Sequence, residues 1–117
     1  MVRLHADDRV MLRNCLTSLI REIEAAQSEP DDEKRIRLLI CALATNAGAA
    51  KWYGATGIKN KHKWCHAPFI TLCDAIVRLG VLVTTVEPPW EDEWDCACES
   101  VTDAAQRTLD ALRTFTR

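Results

Sequence analysis

Four residues carry side chains suited to holding a metal: Cys65, His66, Cys96 and Cys98. Thiolate sulfur and imidazole nitrogen are soft or borderline donors, and mixed Cys/His sets of four build structural zinc sites. The spacing is unusual, an adjacent Cys-His pair and a Cys-x-Cys pair, where the common zinc pair holds about two to four residues between its ligands. A complete set leaves no open coordination position, so zinc bound there would pin two loops together rather than catalyse. His5 could replace His66 if the N-terminus folds nearby. The same residues also read as free thiols and an ordinary polar histidine. Cys15, Cys41 and Cys73 fall in segments that read as helices and are expected to be small buried hydrophobes.

Two stretches of opposite charge hold most of the remaining candidates. From Lys34 to Cys73 there is no acidic residue, and from Glu87 to Glu99 there is no Lys or Arg. The acidic stretch includes Trp90, Glu91, Asp92, Glu93, Trp94 and Asp95 and reads as a long loop, 87–99. Tryptophan is enriched at binding hot spots, and surrounding charge supplies steering and specificity. The expected partner is a protein with a basic surface, its carboxylate ligands standing where nucleic-acid phosphates would otherwise lie. The second loop, roughly 54–67, carries Lys59, Lys61, Lys63 and Trp64 and would sit beside the first. A rival reading makes residues 51–64 a nucleic-acid site, with lysines on phosphates and Trp52, Tyr53 and Trp64 stacked on bases. The bland reading is that both loops are solvated or paired with each other, since surface ion pairs stabilise little.

Catalytic arrangements are not legible. A nucleophilic Cys needs a base within reach, and sequence neighbours such as Cys65 and His66 usually point apart. Gly48, Gly54 and Gly57 do not follow a strand, so they form no phosphate-cradling loop. Carboxylates at helical spacing are missing from the apolar stripes, which argues against a di-metal bundle.

The elements that must position these residues are mostly helical. Asp7 or Asp8 can cap a first helix whose stripe is Leu12, Cys15, Leu16, Leu19, Ile20 and Ile23. A second helix opens at Pro30 with Asp31, Asp32 and Glu33 favouring its dipole, and continues through Ile36, Leu39, Ile40, Leu43 and Ala47. Its small and apolar run from Leu38 to Ala50 predicts burial on several sides, with Gly54 and Gly57 ending it. A third helix starts at Pro68 with Phe69, Leu72, Cys73, Ile76 and Leu79. The β-branched segment 81–86 after Gly80 reads as a short strand closed by Pro88-Pro89. Over about residues 68–90 this pattern resembles the last part of a winged-helix domain, where a recognition helix feeds a wing. Of the side chains that read a groove, however, the helix carries only Arg78. A fourth helix is expected from Ser100, capped by its hydroxyl, along Val101, Ala104, Ala105, Leu109, Leu112 and Phe115.

The turn at Gly80 decides the zinc expectation. A helix continuing to residue 86 would hold the two loops roughly 28 Å apart. A turn would let an extended segment return Cys96 and Cys98 to Cys65 and His66.

With 117 residues, 48% apolar and 27% charged, the chain has ordinary globular composition, and a net charge of −2 selects no partner. No uninterrupted apolar run reaches the roughly 18 residues of a membrane span, and Met1–Asp8 is too acidic for a signal peptide. The reading is one mainly α domain, a four-helix bundle-like fold with a possible short β element after Gly80, cytoplasmic, non-catalytic and not membrane-bound. It acts through a protein partner; homo-oligomerisation, zinc and nucleic acid stand behind that.

Overall fold

The computed structural model describes residues 6–48, 50, 66–85 and 92–115, with side-chain surroundings for 10–48, 50, 67–85 and 92–112. Four helices pack together: α1 (Ala6–Ser28), α2 (Asp32–Ala42, continued by a π-helical turn at Leu43–Ala47), α3 (His66–Thr85) and α4 (Asp92–Phe115). There is no strand among the described residues. Each helix runs antiparallel to its neighbours. α3 packs closely on α4, and α1 on both α4 and α2, while α2 and α3 touch only sparsely. This is a mainly α, four-helix bundle-like domain with an up-down-up-down order.

The first helix follows its apolar stripe. Leu12, Leu16, Leu19 and Ile23 are fully buried, Cys15 nearly so, and Ile20 packs at the margin. Each such aliphatic side chain contributes about 1.5–3 kcal/mol on leaving water. A turn at 29–31 reverses the chain, and Asp31 caps α2 by accepting the Lys34 N–H at 3.0 Å. Arg35 fastens the turn, donating to the Glu29 carbonyl and lying 3.6 Å from the Asp32 carboxylate.

α2 departs from the expectation of burial on several sides. Leu39, Ala42, Ala47 and Ala50 enter the core, but Leu38, Ile40, Cys41, Ala44 and Gly48 are exposed. Cys41 is therefore not the buried hydrophobe its neighbours suggested. The π turn explains the spacing: a five-residue step carries Ala47 to the face that Ala42 occupies, and both are fully buried. The Asn46 side-chain amide donates to the Glu22 carboxylate of α1 and ties the turn to its neighbour.

The expected turn at Gly80 is absent. α3 continues through it to Thr85, so residues 81–85 are helix rather than strand, and the winged-helix resemblance loses its wing. Glycine inside a helix costs only about 1 kcal/mol relative to Ala. Against that, the buried stripe Phe69, Leu72, Ile76 and Leu79 extends at helical spacing into Leu82 and Val83, which pack on the core. Thr84 and Thr85 turn their hydroxyls back onto the Gly80 and Val81 carbonyls at 2.9 and 2.6 Å. Residue 86 and Pro88-Pro89 lie outside the described residues.

α3 is also long and apolar enough, over Ala67–Thr85 with mean hydropathy 1.7, to meet the length and composition of a membrane span. The sequence expectation had counted uninterrupted runs, and Asp74 and Arg78 interrupt this one. Only 28% of that window is buried by the bundle.

α4 starts eight residues before Ser100, at Asp92. Ser100 is thus not a cap; its hydroxyl donates to the Cys96 carbonyl at 2.9 Å in mid-helix. The buried stripe runs Trp94, Cys98, Val101, Ala105, Leu109 and Leu112. Buried Thr108 satisfies its hydroxyl on the Ala104 carbonyl at 2.8 Å. Phe115 is helical, with its side chain outside the described set.

Candidate functional site

The antiparallel order sets the end of α1, the start of α2 and the start of α4 at one end of the bundle. Gln27 of α1 donates to Asp95 of α4 at 3.3 Å and locks the two together. Eight carboxylates gather at this end: Glu29, Asp31, Asp32 and Glu33 from the α1–α2 side, and Asp92, Glu93, Asp95 and Glu99 from α4. Asp31, Glu33, Asp92, Glu93 and Glu99 are exposed; Glu29, Asp32 and Asp95 are half-buried. Two helix N-termini account for part of the cluster, because each carries partial positive charge that favours acids in its first turn. Of the nearby bases, Arg35 is engaged by Asp32 and the Glu29 carbonyl, while Lys34 and Arg37 stand exposed beside Glu29.

The sequence-predicted partner residues separate into four groups. Asp92 and Glu93 are exposed at this acidic end, as a contact surface requires. Trp94 is not a surface contact: with 1% of its area exposed it is the largest fully buried side chain in the core. Asp95 is half-buried and engaged by Gln27. The acidic composition had suggested a loop, but residues 92–99 are helical, and the helix turns Trp94 inward while it turns its neighbours out. Trp90, Glu91, Lys59, Lys61, Lys63 and Trp64 lie outside the described residues, as do residues 51–64 of the nucleic-acid reading.

Of the four metal candidates, the three in described helices are not brought together. Cys65 lies outside the described residues and His66 is the first residue of α3. Cys96 lies beside Val81 and Leu82, near the opposite end of that helix. From His66 to Val81 the axis rises about 22 Å, far beyond any shared coordination sphere. Cys96 and Cys98 also diverge, one exposed and the other fully buried. Among the described residues no group of three or more His, Cys, Asp or Glu is placed to hold a metal ion.

Cys98 lies beneath the acidic end. Burial pushes its thiol up from 9.0 to about 12; the Asp95 and Glu99 carboxylates add to this and Arg35 opposes it. That thiol is held neutral and is not a nucleophile at ordinary pH. Sequence reasoning missed the contribution of the α1–α2 turn to this site. The signal was present in Glu29-Pro30-Asp31-Asp32-Glu33, whose acids were absorbed into a capping assignment.

A second feature lies along α3. A groove of about 340 Å³ runs between Val77, Arg78, Val81 and Leu82 of α3 and Glu93, Cys96, Ala97 and Ser100 of α4. Beside it Ile70, Val77 and Val81 stand exposed on the outer face of α3. No protein-family model matches the chain, and neither a curated protein nor a solved structure matches it.

Proposed function

We propose that this chain is a small, non-catalytic interaction protein whose acidic end engages a basic protein surface. The observation that carries the reading is the convergence of eight carboxylates from two separate chain segments on one end of the bundle. Five of them are exposed, four at helix starts and Glu99 about two turns into α4. The carboxylates outnumber the bases Lys34, Arg35 and Arg37 there, and an excess of one charge speeds encounter with an oppositely charged surface and disfavours partners of like charge. Trp94 contributes from beneath: it anchors the first turn of α4, so Asp92, Glu93 and Glu99 are presented without the entropy cost of ordering a loop. The arrangement would also suit a surface that otherwise binds nucleic-acid phosphates.

The test neutralises charge while keeping shape: Asp92→Asn, Glu93→Gln and Glu99→Gln together. Wild type immobilised at low salt is expected to retain basic proteins from a cell extract, and the triple variant to lose them. The wild-type complexes should dissociate as ionic strength rises, because surface charges separated by more than about 10 Å are screened at 0.1 M salt. Equal retention by both chains would refute the reading. Competition by duplex DNA would mark the captured surface as one that binds nucleic acid.

A further inference from the structure

We infer that the outer face of α3 is a self-association surface on which two copies of the chain pair antiparallel about a two-fold axis. Ile70, Val77 and Val81 are 45%, 55% and 53% exposed. At spacings of seven and four residues they form one stripe. Apart from His66 at its start, α3 contains one acidic and one basic residue, Asp74 and Arg78, exposed and four residues apart along that stripe. Asp74 and Arg78 make no ion pair with each other or with another described residue, although their spacing and order favour one.

The pattern is complementary to itself when reversed. A two-fold axis crossing α3 at the level of Ile76 sets Asp74 level with Arg78 of the second copy, and Arg78 level with its Asp74. The operation keeps lateral sides, so both ion pairs fall on the same side of the interface. On the other side Val77 meets Val77 of the second copy near the axis, and Ile70 comes level with its Val81 and Leu82. Helix axes pack roughly 8–10 Å apart, which puts these side chains in contact. A self-matched surface is what a two-fold dimer requires, each patch being its own partner. A single helix pair falls at the low end of interface sizes, below about 1,200 Å². The association is therefore reversible and concentration-dependent. This surface adjoins the acidic end at Glu93, which lines one groove with Val77, Arg78 and Val81, but neither reading depends on the other.

Sedimentation velocity of the full chain over a concentration series provides the test, with two single reversals, Asp74→Arg and Arg78→Asp. Wild type is expected to shift from monomer to dimer with rising concentration. Each reversal alone opposes like charges across the axis twice and should weaken self-association about tenfold or more. An equimolar mixture of the two variants restores opposite charge at both positions, so it should dimerise although neither variant does alone. That recovery also establishes that both variants are folded. Three outcomes would overturn the inference: a wild-type monomer at every concentration reached, single variants that associate as wild type does, or a mixture that stays monomeric. A wild-type monomer that instead floats with phosphatidylcholine vesicles would assign the apolar face to lipid.

Discussion

Replacing Trp94 with Ala separates a core tryptophan from a contact tryptophan. The residue is 1% exposed and sits at the start of α4, where the buried stripe Trp94, Cys98, Val101 begins. Truncating a buried Trp to Ala removes its transfer free energy and leaves a cavity, a loss of about 3–5 kcal/mol. Unfolding entropy of roughly 2.1 cal/mol/K per residue gives about 0.25 kcal/mol/K for 117 residues. The melting temperature, followed by far-ultraviolet circular dichroism, should then fall by about 12–20 °C. Trp94→Phe keeps an aromatic ring in the site and should lose less. An exposed contact residue behaves differently: its truncation stays within about 0.5 kcal/mol, or roughly 2 °C, and costs binding instead. A fall under about 2 °C would refute the packing described for α4 and return Trp94 to the surface.

Two further outcomes follow from features of α4 and α2. Cys98 is protonated in the fold up to about pH 12 but ionises near 9.0 once exposed, so unfolding releases a proton between those values. Stability contributed by the neutral thiol is whole below the lower value and declines as pH rises through the window. Between about pH 8 and pH 10 the melting temperature of wild type should fall further than that of Cys98→Ala, and parallel falls would reject the buried thiol. Deletion of Ala44, exposed inside the π turn, should convert Leu43–Ala47 to regular α-helix and leave Ala42 and Ala47 on one face. Thermal melts should place that deletion within about 4 °C of wild type. Deleting Arg21 from regular α1 should be far worse, because it rotates Ala26 about 100° out of the core. Equal losses from the two deletions would show that the π turn is not an inserted residue.

Helical periodicity was legible wherever apolar residues faced a single core. Leu12, Leu16, Leu19 and Ile23 on α1, and Phe69, Leu72, Ile76 and Leu79 on α3, are buried as their spacing required. Two local signals misled. Val and Thr after Gly80 favour strands in isolation, yet Leu82 and Val83 continue the helical stripe, and packing outweighs a propensity difference of about 1 kcal/mol. Acidic residues from Asp92 to Asp95 looked like a solvated loop, although acids in a first turn are what a helix dipole favours. Reading Trp94, Cys98 and Val101 as one stripe would have extended α4 to its start. The five-residue step in α2 was not legible, because periodicity alone gives Ala47 no reason to follow Ala42. The acidic end needed the tertiary arrangement, since Glu29–Glu33 and Asp92–Glu99 are far apart in sequence.

The sparse contact between α2 and α3 has a topological consequence. α1 and α4 are nearly equal in length, run antiparallel and are fastened at one end by Gln27 and Asp95. The start of α1 and the finish of α4 therefore lie side by side at the other end. The helices form a ring in space, in which the weakest joint among the described residues is the one between α2 and α3. A circular permutant that links Phe115 to Ala6 would keep the three well-packed joints, of α1 with α2, α1 with α4 and α3 with α4.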